Sequence, residues 1–206
     1  MGRRFGLGRV FETLPPPEVV PPKKVPRVAR YTDLNASRAG LVLSPLEWMW
    51  STLRDVVGAV AKPWIDVRRH REAVGRRDSD PVRGWLQYVV ADDTVRDRTP
   101  LARSAPTSPQ VPAFGLEALA RASVAAFRAA PSAVRSAGPV RRLFAALCFD
   151  QGVRDTEVIA RRCGTTRRTI QRVLHLPPEP LALEAARLCL ADGRLSQPSC
   201  RRSRSL

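Results

Sequence analysis

Between Asp155 and His175 the chain reads Asp-Thr-Glu-Val-Ile-Ala-Arg-Arg-Cys-Gly-Thr-Thr-Arg-Arg-Thr-Ile-Gln-Arg-Val-Leu-His. Few backbones satisfy this order. Asp155 or Thr156 can cap a helix whose positive end favours Glu157. Gly164 tolerates the positive φ that a tight turn between two helices needs. Thr166 then caps a second helix, from Arg167 to about Leu174. Val158 or Ile159, Cys163, Ile170 and Val173 supply a shared core, and the small Ala160 lets the two helices cross closely.

The flanking residues extend this pair into a tri-helical unit. Pro139 to Gln151 reads as a preceding helix, with Val140, Leu143, Phe144, Leu147 and Cys148 as a continuous apolar stripe. Gly152 is a C-terminal stop. Leu176-Pro177-Pro178 closes the unit. A further helix is expected from Glu179 to about Leu190, with Leu181, Leu183, Ala186, Leu188 and Leu190 apolar. It would pack beneath the unit or offer a face to a second copy, so a homodimer is one expected partner.

The stretch Ile159-Ala160 through Gly164, Thr166, Ile170 and Val173-Leu174 resembles the helix-turn-helix superfamily of DNA-binding units. With Leu147 to Gly152 before it, it is most similar to the compact units of site-specific resolvases, transposases and sigma-factor C-terminal regions. The match covers residues 140–176. Thr165 departs from it, standing where most members carry an aliphatic residue. The resemblance implies that Arg167, Arg168, Gln171 and Arg172 face the groove of double-stranded DNA. Arg can take guanine O6 and N7 together, and Gln can do the same with adenine N6 and N7. Arg161 and Arg162 on the preceding helix are expected at phosphates, which position without specifying. Thr166 joins this set at the start of the reading helix.

Charge points the same way. The 206 residues hold 35 Lys and Arg against 19 Asp and Glu, a formal charge of +16 with a pI near 11.4. Such a balance favours a polyanion: DNA, RNA or an anionic surface. An Arg-rich composition inherited from a GC-rich genome would give the same number, so charge alone does not decide.

Elsewhere the expected organisation is mostly α. Residues 1–40 read as an extended or disordered Pro-rich arm, because Leu14 to Pro26 repeatedly blocks a helix and favours polyproline II. Phe5, Leu7, Val10 and Phe11 form an apolar cluster there, either packed on its own domain or docking a protein partner. Residues 41–96 read as a small helical domain. Ser44-Pro45-Leu46-Glu47 is a helix start, followed by Leu46, Trp50, Leu53, Val57 and Val60 at helical spacing. Pro63 to about Val74 and Asp80-Pro81 onward follow as helices, and Trp48, Trp50, Trp64 and Trp85 are expected to anchor the core. Arg68 to Arg77 holds five arginines, which either grip phosphates or form a solvated face beside Asp66, Glu72 and Asp78. Residues 97–114 read as a linker stiffened by proline. Residues 115–195 form the second helical domain, beginning with a helix from Leu116 to Ala130, and 196–206 a basic tail.

Cys148, Cys163, Cys189 and Cys200 are not spaced as zinc ligands, so three are expected in the core and Cys200 as a tail thiol, with no metal and no cofactor. His175 is expected to be structural or near phosphate. No stretch approaches the ~20 apolar residues of a membrane span. The N-terminus lacks an export segment, and Gly6 stands where a myristoylation signal wants Ser or Thr. The expectation is a cytoplasmic, nucleoid-associated protein without a membrane partner.

These readings favour a non-enzymatic, sequence-selective binder of double-stranded DNA. It would act as a transcription regulator, or as a replication or transposition accessory factor of a mobile element. A recombinase or transposase is the competing class. Only Tyr31 and Tyr88 could serve as a nucleophilic tyrosine, neither in a basic setting, and no strand-rich catalytic domain is legible. No catalytic residue is expected. Nonspecific packaging of RNA or DNA is a third class; the basic patch and tail suit it, but the interleaved aromatics of single-strand binders do not appear near the basic runs.

Overall fold

Capping and proline placement set the helix boundaries of this chain. A computed structural model describes residues 18–74, 80–102, 105, 107 and 109–196. Among them are nine α-helices and no strand, the mostly α fold expected. The helices are α1 (Val25–Arg38), α2 (Leu53–Val56), α3 (Val67–Val74), α4 (Pro81–Val90), α5 (Leu116–Ala126), α6 (Pro139–Asp150), α7 (Thr156–Cys163), α8 (Arg167–Leu174) and α9 (Pro180–Ala191). Short 3₁₀ turns cover Pro22–Lys24, Pro45–Glu47, Pro131–Val134 and Gly193–Ser196.

The expected extended arm is helical from Val25. Pro22 begins a 3₁₀ turn and Pro26 falls in the first turn of α1, where a missing N–H costs nothing. Beyond them α1 buries Leu34, Ala36, Asp33 and Ser37, so tertiary burial outweighs the local proline signal. The apolar cluster Phe5 to Phe11 lies outside the described residues.

The helix expected from Ser44 also breaks up. Ser44 caps only the 3₁₀ turn, accepting from the Leu46 N–H at 3.4 Å, and the backbone turns extended at Trp48. The Leu46 carbonyl is taken instead by the Arg54 guanidinium, at 3.3 Å. Helix resumes for one turn as α2, and Gly58, with φ +79°, ends it. Of the four tryptophans only Trp85 is a core residue, at 1% exposure; Trp50 and Trp64 are half-exposed. Asp66 accepts from the Arg69 N–H, which delays α3 to Val67, and Asp80 caps α4 as expected.

The two expected helical domains share one core. Leu34, Leu53 and Trp85 belong to the same buried cluster as Leu119, Phe144, Ile170 and Ala186. The Ala61 N–H donates to the Ala126 carbonyl at 2.8 Å, and Arg54 reaches the Leu195 carbonyl at 2.6 Å. Nor does the segment expected as a linker hang free. The Ala105 N–H bonds the Arg187 carbonyl on α9, and Arg194 donates to the carbonyls of Thr99 and Pro100. Arg194 is itself held by Asp192 at 2.7 Å. Prolines remove donors from this stretch but leave its carbonyls available, and the buried Arg194 uses two of them.

α5 lies at the centre, packed on α9 and α6. Its end comes before Pro131, where Arg128 takes φ +49°. α9 packs on α5 and, beneath the tri-helical unit, on α6; it buries Ala182, Ala185, Ala186, Cys189 and Leu190 and leaves Leu181 exposed. Among the described residues no helix is long and apolar enough to cross a membrane.

Candidate nucleic-acid interface

Three helices, α6 to α8, build the surface that presents the basic residues. α6 buries Val140, Leu143, Phe144, Leu147 and Cys148, the stripe read from the sequence. Gly152 follows with φ +83°, and a Cβ there would lie 2.9 Å from the Pro109 carbonyl oxygen. The turn is therefore glycine for two reasons, its left-handed backbone and the chain packed against it. Asp155 caps α7, its carboxylate accepting from the N–H groups of Glu157 and Val158 at 2.8 and 3.3 Å.

α7 ends at Gly164, in the left-handed region with φ 61° and ψ 41°. The Gly164 and Thr165 N–H groups bond the Arg161 and Ala160 carbonyls. This closure is made by backbone alone, so the turn forms with Thr165 in place of an aliphatic residue. Thr166 caps α8 through its hydroxyl, which accepts from the Thr169 N–H at 3.3 Å. α8 buries Ile170 and packs on α7 and α6.

At helical spacing Arg167, Arg168, Gln171 and Arg172 fall on one face of α8, opposite Ile170 and Val173. All four are exposed, and α8 contains no acidic residue. Thr166 and Arg161 are exposed as well. Arg162 differs: its guanidinium pairs with Glu117 of α5 at 2.9 Å, with the side chain only 26% exposed. It ties the unit to α5 before it can meet anything else. His175 ends α8, exposed.

Cys148, Cys163 and Cys189 are buried free thiols. Burial pushes all three up, Cys189 to about 11. Among the described residues no cluster of three or more His, Cys, Asp or Glu could hold a metal ion. Cys200 and the basic tail lie outside the described residues, as do Arg76 and Arg77 of the arginine run. Arg68 and Arg69 are more than four-fifths exposed, in loose pairs with Glu72 at 3.8 Å and Asp66 at 3.4 Å. His70, the next residue, turns inward, edge-on to Trp85 at 5.2 Å between ring centres.

Two features escape a reading of the sequence. One is a groove of about 370 Å³, walled by Met49, Ala120, Val124 and Ala129 and flanked by Arg121 and Arg162. The other is a cluster around Arg128. Its guanidinium pairs with Asp55 at 2.6 Å, donates to the Met49 and Ser51 carbonyls, and lies 4.1 Å from the centre of the Trp64 ring. These residues are far apart in the chain, and no local pattern announces them. Comparison with protein-family models, with curated proteins and with solved structures finds no match.

Proposed function

We infer that this chain is a sequence-selective double-stranded DNA-binding protein that inserts α8 into the major groove. One observation carries the reading. α8 spends a single fully buried side chain, Ile170, on the core and leaves three arginines and a glutamine exposed together. A short rod bearing such groups fits the major groove, where Arg and Gln can each make paired hydrogen bonds to one base. Arg167 and Arg168 sit in its first turn, the part of a reading helix that meets base edges.

In this reading Arg161 and Thr166 meet phosphates beside the groove, and Arg162 does so by exchanging Glu117 for a phosphate oxygen. The formal charge of +16 supports the approach to DNA at long range. The biological role is regulation of transcription, or assistance to replication or transposition of a mobile element.

Selection of bound sites from a pool of random duplex DNA tests this. A recoverable preferred site, bound at a salt concentration that releases random duplex, is the expected result. Binding that moderate salt and competitor DNA abolish alike for every sequence would refute groove reading.

A further inference from the structure

Trp50 and Trp64 stack on one another at the surface, 5.7 Å between ring centres and 11° between planes. They stay 50% and 58% exposed. A pair of large aromatics left this open gives up burial that the core could have used. The fold nevertheless holds both in place. Arg128 donates to the carbonyls of Met49 and Ser51, the residues on either side of Trp50, at 2.9 and 3.0 Å. The same guanidinium lies over Trp64 at 4.1 Å. Asp55 accepts from Arg128 at 2.6 Å and from the Trp64 backbone N–H at 3.1 Å. The Arg128–Asp55 pair is buried, its side chains 5% and 0% exposed, and Arg128 takes a left-handed backbone at φ +49° that a non-glycine residue rarely adopts. A buried ion pair and the left-handed turn that ends α5, in which the Arg128 and Ala129 N–H groups bond the Ala125 and Val124 carbonyls, thus fix two rings that face solvent.

The chain around the rings is basic. Lys62 lies two residues before Trp64 and is exposed, and α3 begins three residues after it with Arg68, Arg69 and Arg71 exposed. The pairs of Arg68 and Arg69 with acidic residues are long and open to water, so phosphate can replace the carboxylates. Beside Trp64 a hollow of about 230 Å³ is lined by Lys62, Phe127 and Arg128. Stacked indoles next to a run of cations are the parts that hold single-stranded nucleic acid: bases stack on the rings while the backbone follows the charges.

We propose that the Trp50–Trp64 stack, with Lys62 and the start of α3, is a second nucleic-acid site that takes unpaired bases of a DNA strand. It rests on the DNA-binding reading for the choice of polymer, but its residues are separate from α8. A protein with both surfaces grips duplex DNA at one and an opened strand at the other. That combination favours the replication or transposition role over simple regulation.

The test uses the full chain and two probes: a twelve-nucleotide thymidine oligomer and the duplex site recovered by selection. The thymidine oligomer should quench indole fluorescence. Trp50→Ala and Trp64→Ala should each lower its affinity about tenfold, within the range of base–aromatic stacking, with duplex affinity unchanged within about twofold. Trp64→Phe should retain most single-strand binding, and Lys62→Glu, a surface change that leaves the rings in place, should weaken it. Arg168→Ala should show the reverse pattern. If the tryptophan and Lys62 variants bind the oligomer as the parent chain does, the proposal is overturned while the duplex reading stands. If only a proline-rich peptide, and no oligomer, competes for the indoles, the surface is a protein-docking site and the proposal is overturned. Single-strand binding that survives with no duplex site recoverable would instead sink the α8 reading and keep this one.

Discussion

The guanidinium of Arg54 donates to the backbone carbonyl of Leu195 at 2.6 Å, although 141 positions separate the two residues. Arg54 is fully buried, and it also reaches the Leu46 carbonyl and the Cys189 sulfur. Desolvation lowers its pKa from the ordinary value, and those acceptors offset part of the cost of burying the cation. Arg54 therefore bolts the N-terminal helices to the end of the described chain.

Replacing it separates two contributions. Arg54→Ala orphans two buried carbonyls and leaves a cavity, and should cost about 3 kcal/mol or more. Arg54→Met keeps most of the volume and removes the buried charge, so its loss should be clearly smaller. Urea unfolding midpoints compare the two. Equal losses would show that the cation itself, not the space it fills, is what the core needs.

Gly152 and Gly164 both take positive φ, yet they should differ as alanines. A Cβ at Gly164 meets nothing within 4 Å, so only the backbone conformation is penalised, about 1–2 kcal/mol. A Cβ at Gly152 would sit 2.9 Å from the Pro109 oxygen and 3.2 Å from the Pro112 nitrogen, both main-chain atoms. Gly152→Ala should lower the melting temperature more than Gly164→Ala. The opposite order would mean that the segment at Pro109–Pro112 yields freely.

Asp92 should govern part of the acid limb of stability. The Thr94 hydroxyl and the Arg38 guanidinium hold its carboxyl down to about 2, against a desolvation that opposes them. A carboxylate depressed in the folded state contributes stability above its ordinary pKa near 3.8, and loses it as pH falls toward 2. Asp92→Asn should be less stable than the parent at pH 7, with the gap closing between about pH 4 and 2. A gap that stays constant across that window would contradict the assignment.

At the candidate interface, Arg168→Ala or Gln171→Ala should weaken binding by about 1–3 kcal/mol at one base position and relax the preference there. Arg161→Ala should weaken all sequences alike and flatten the salt dependence. Arg162→Ala should in addition lower stability slightly, because it leaves Glu117 without its partner. Losses for Arg168→Ala and Gln171→Ala that are equal on specific and random duplex would remove α8 from the groove.

In a Cys200→Ser background, the thiols of Cys148, Cys163 and Cys189 should ignore a thiol reagent until the chain unfolds, because all three are buried and their thiolates disfavoured. Titration with and without denaturant reads this directly. Fast labelling of any one in the native protein would show that the core opens there.

The tri-helical unit was legible because its signals are local. Asp155 and Thr166 bond N–H groups two or three residues away, Gly164 needs only its own φ, and the buried face of α6 repeats within twelve residues. The N-terminal half misled for the same reason. Prolines suggested extension, but at Pro22 and Pro26 they occupy first turns, and the apolar spacing after Ser44 did not reveal that the Arg54 side chain takes the Leu46 carbonyl. Four tryptophans read as core anchors, yet two of them stack at the surface.

By itself, then, the sequence determined the helical class, the ends of α6 to α8 and the basic face of α8, all of which follow from contacts within a few residues. Only the tertiary structure decided that one core spans the stretch expected as a linker. It also decided that Arg162 meets Glu117, and that Arg128 and Asp55 hold Trp64 in the open. Those outcomes depend on which buried acceptor or carboxylate lies within reach of a guanidinium across many tens of residues. Spacing along a chain does not encode that distance; packing does.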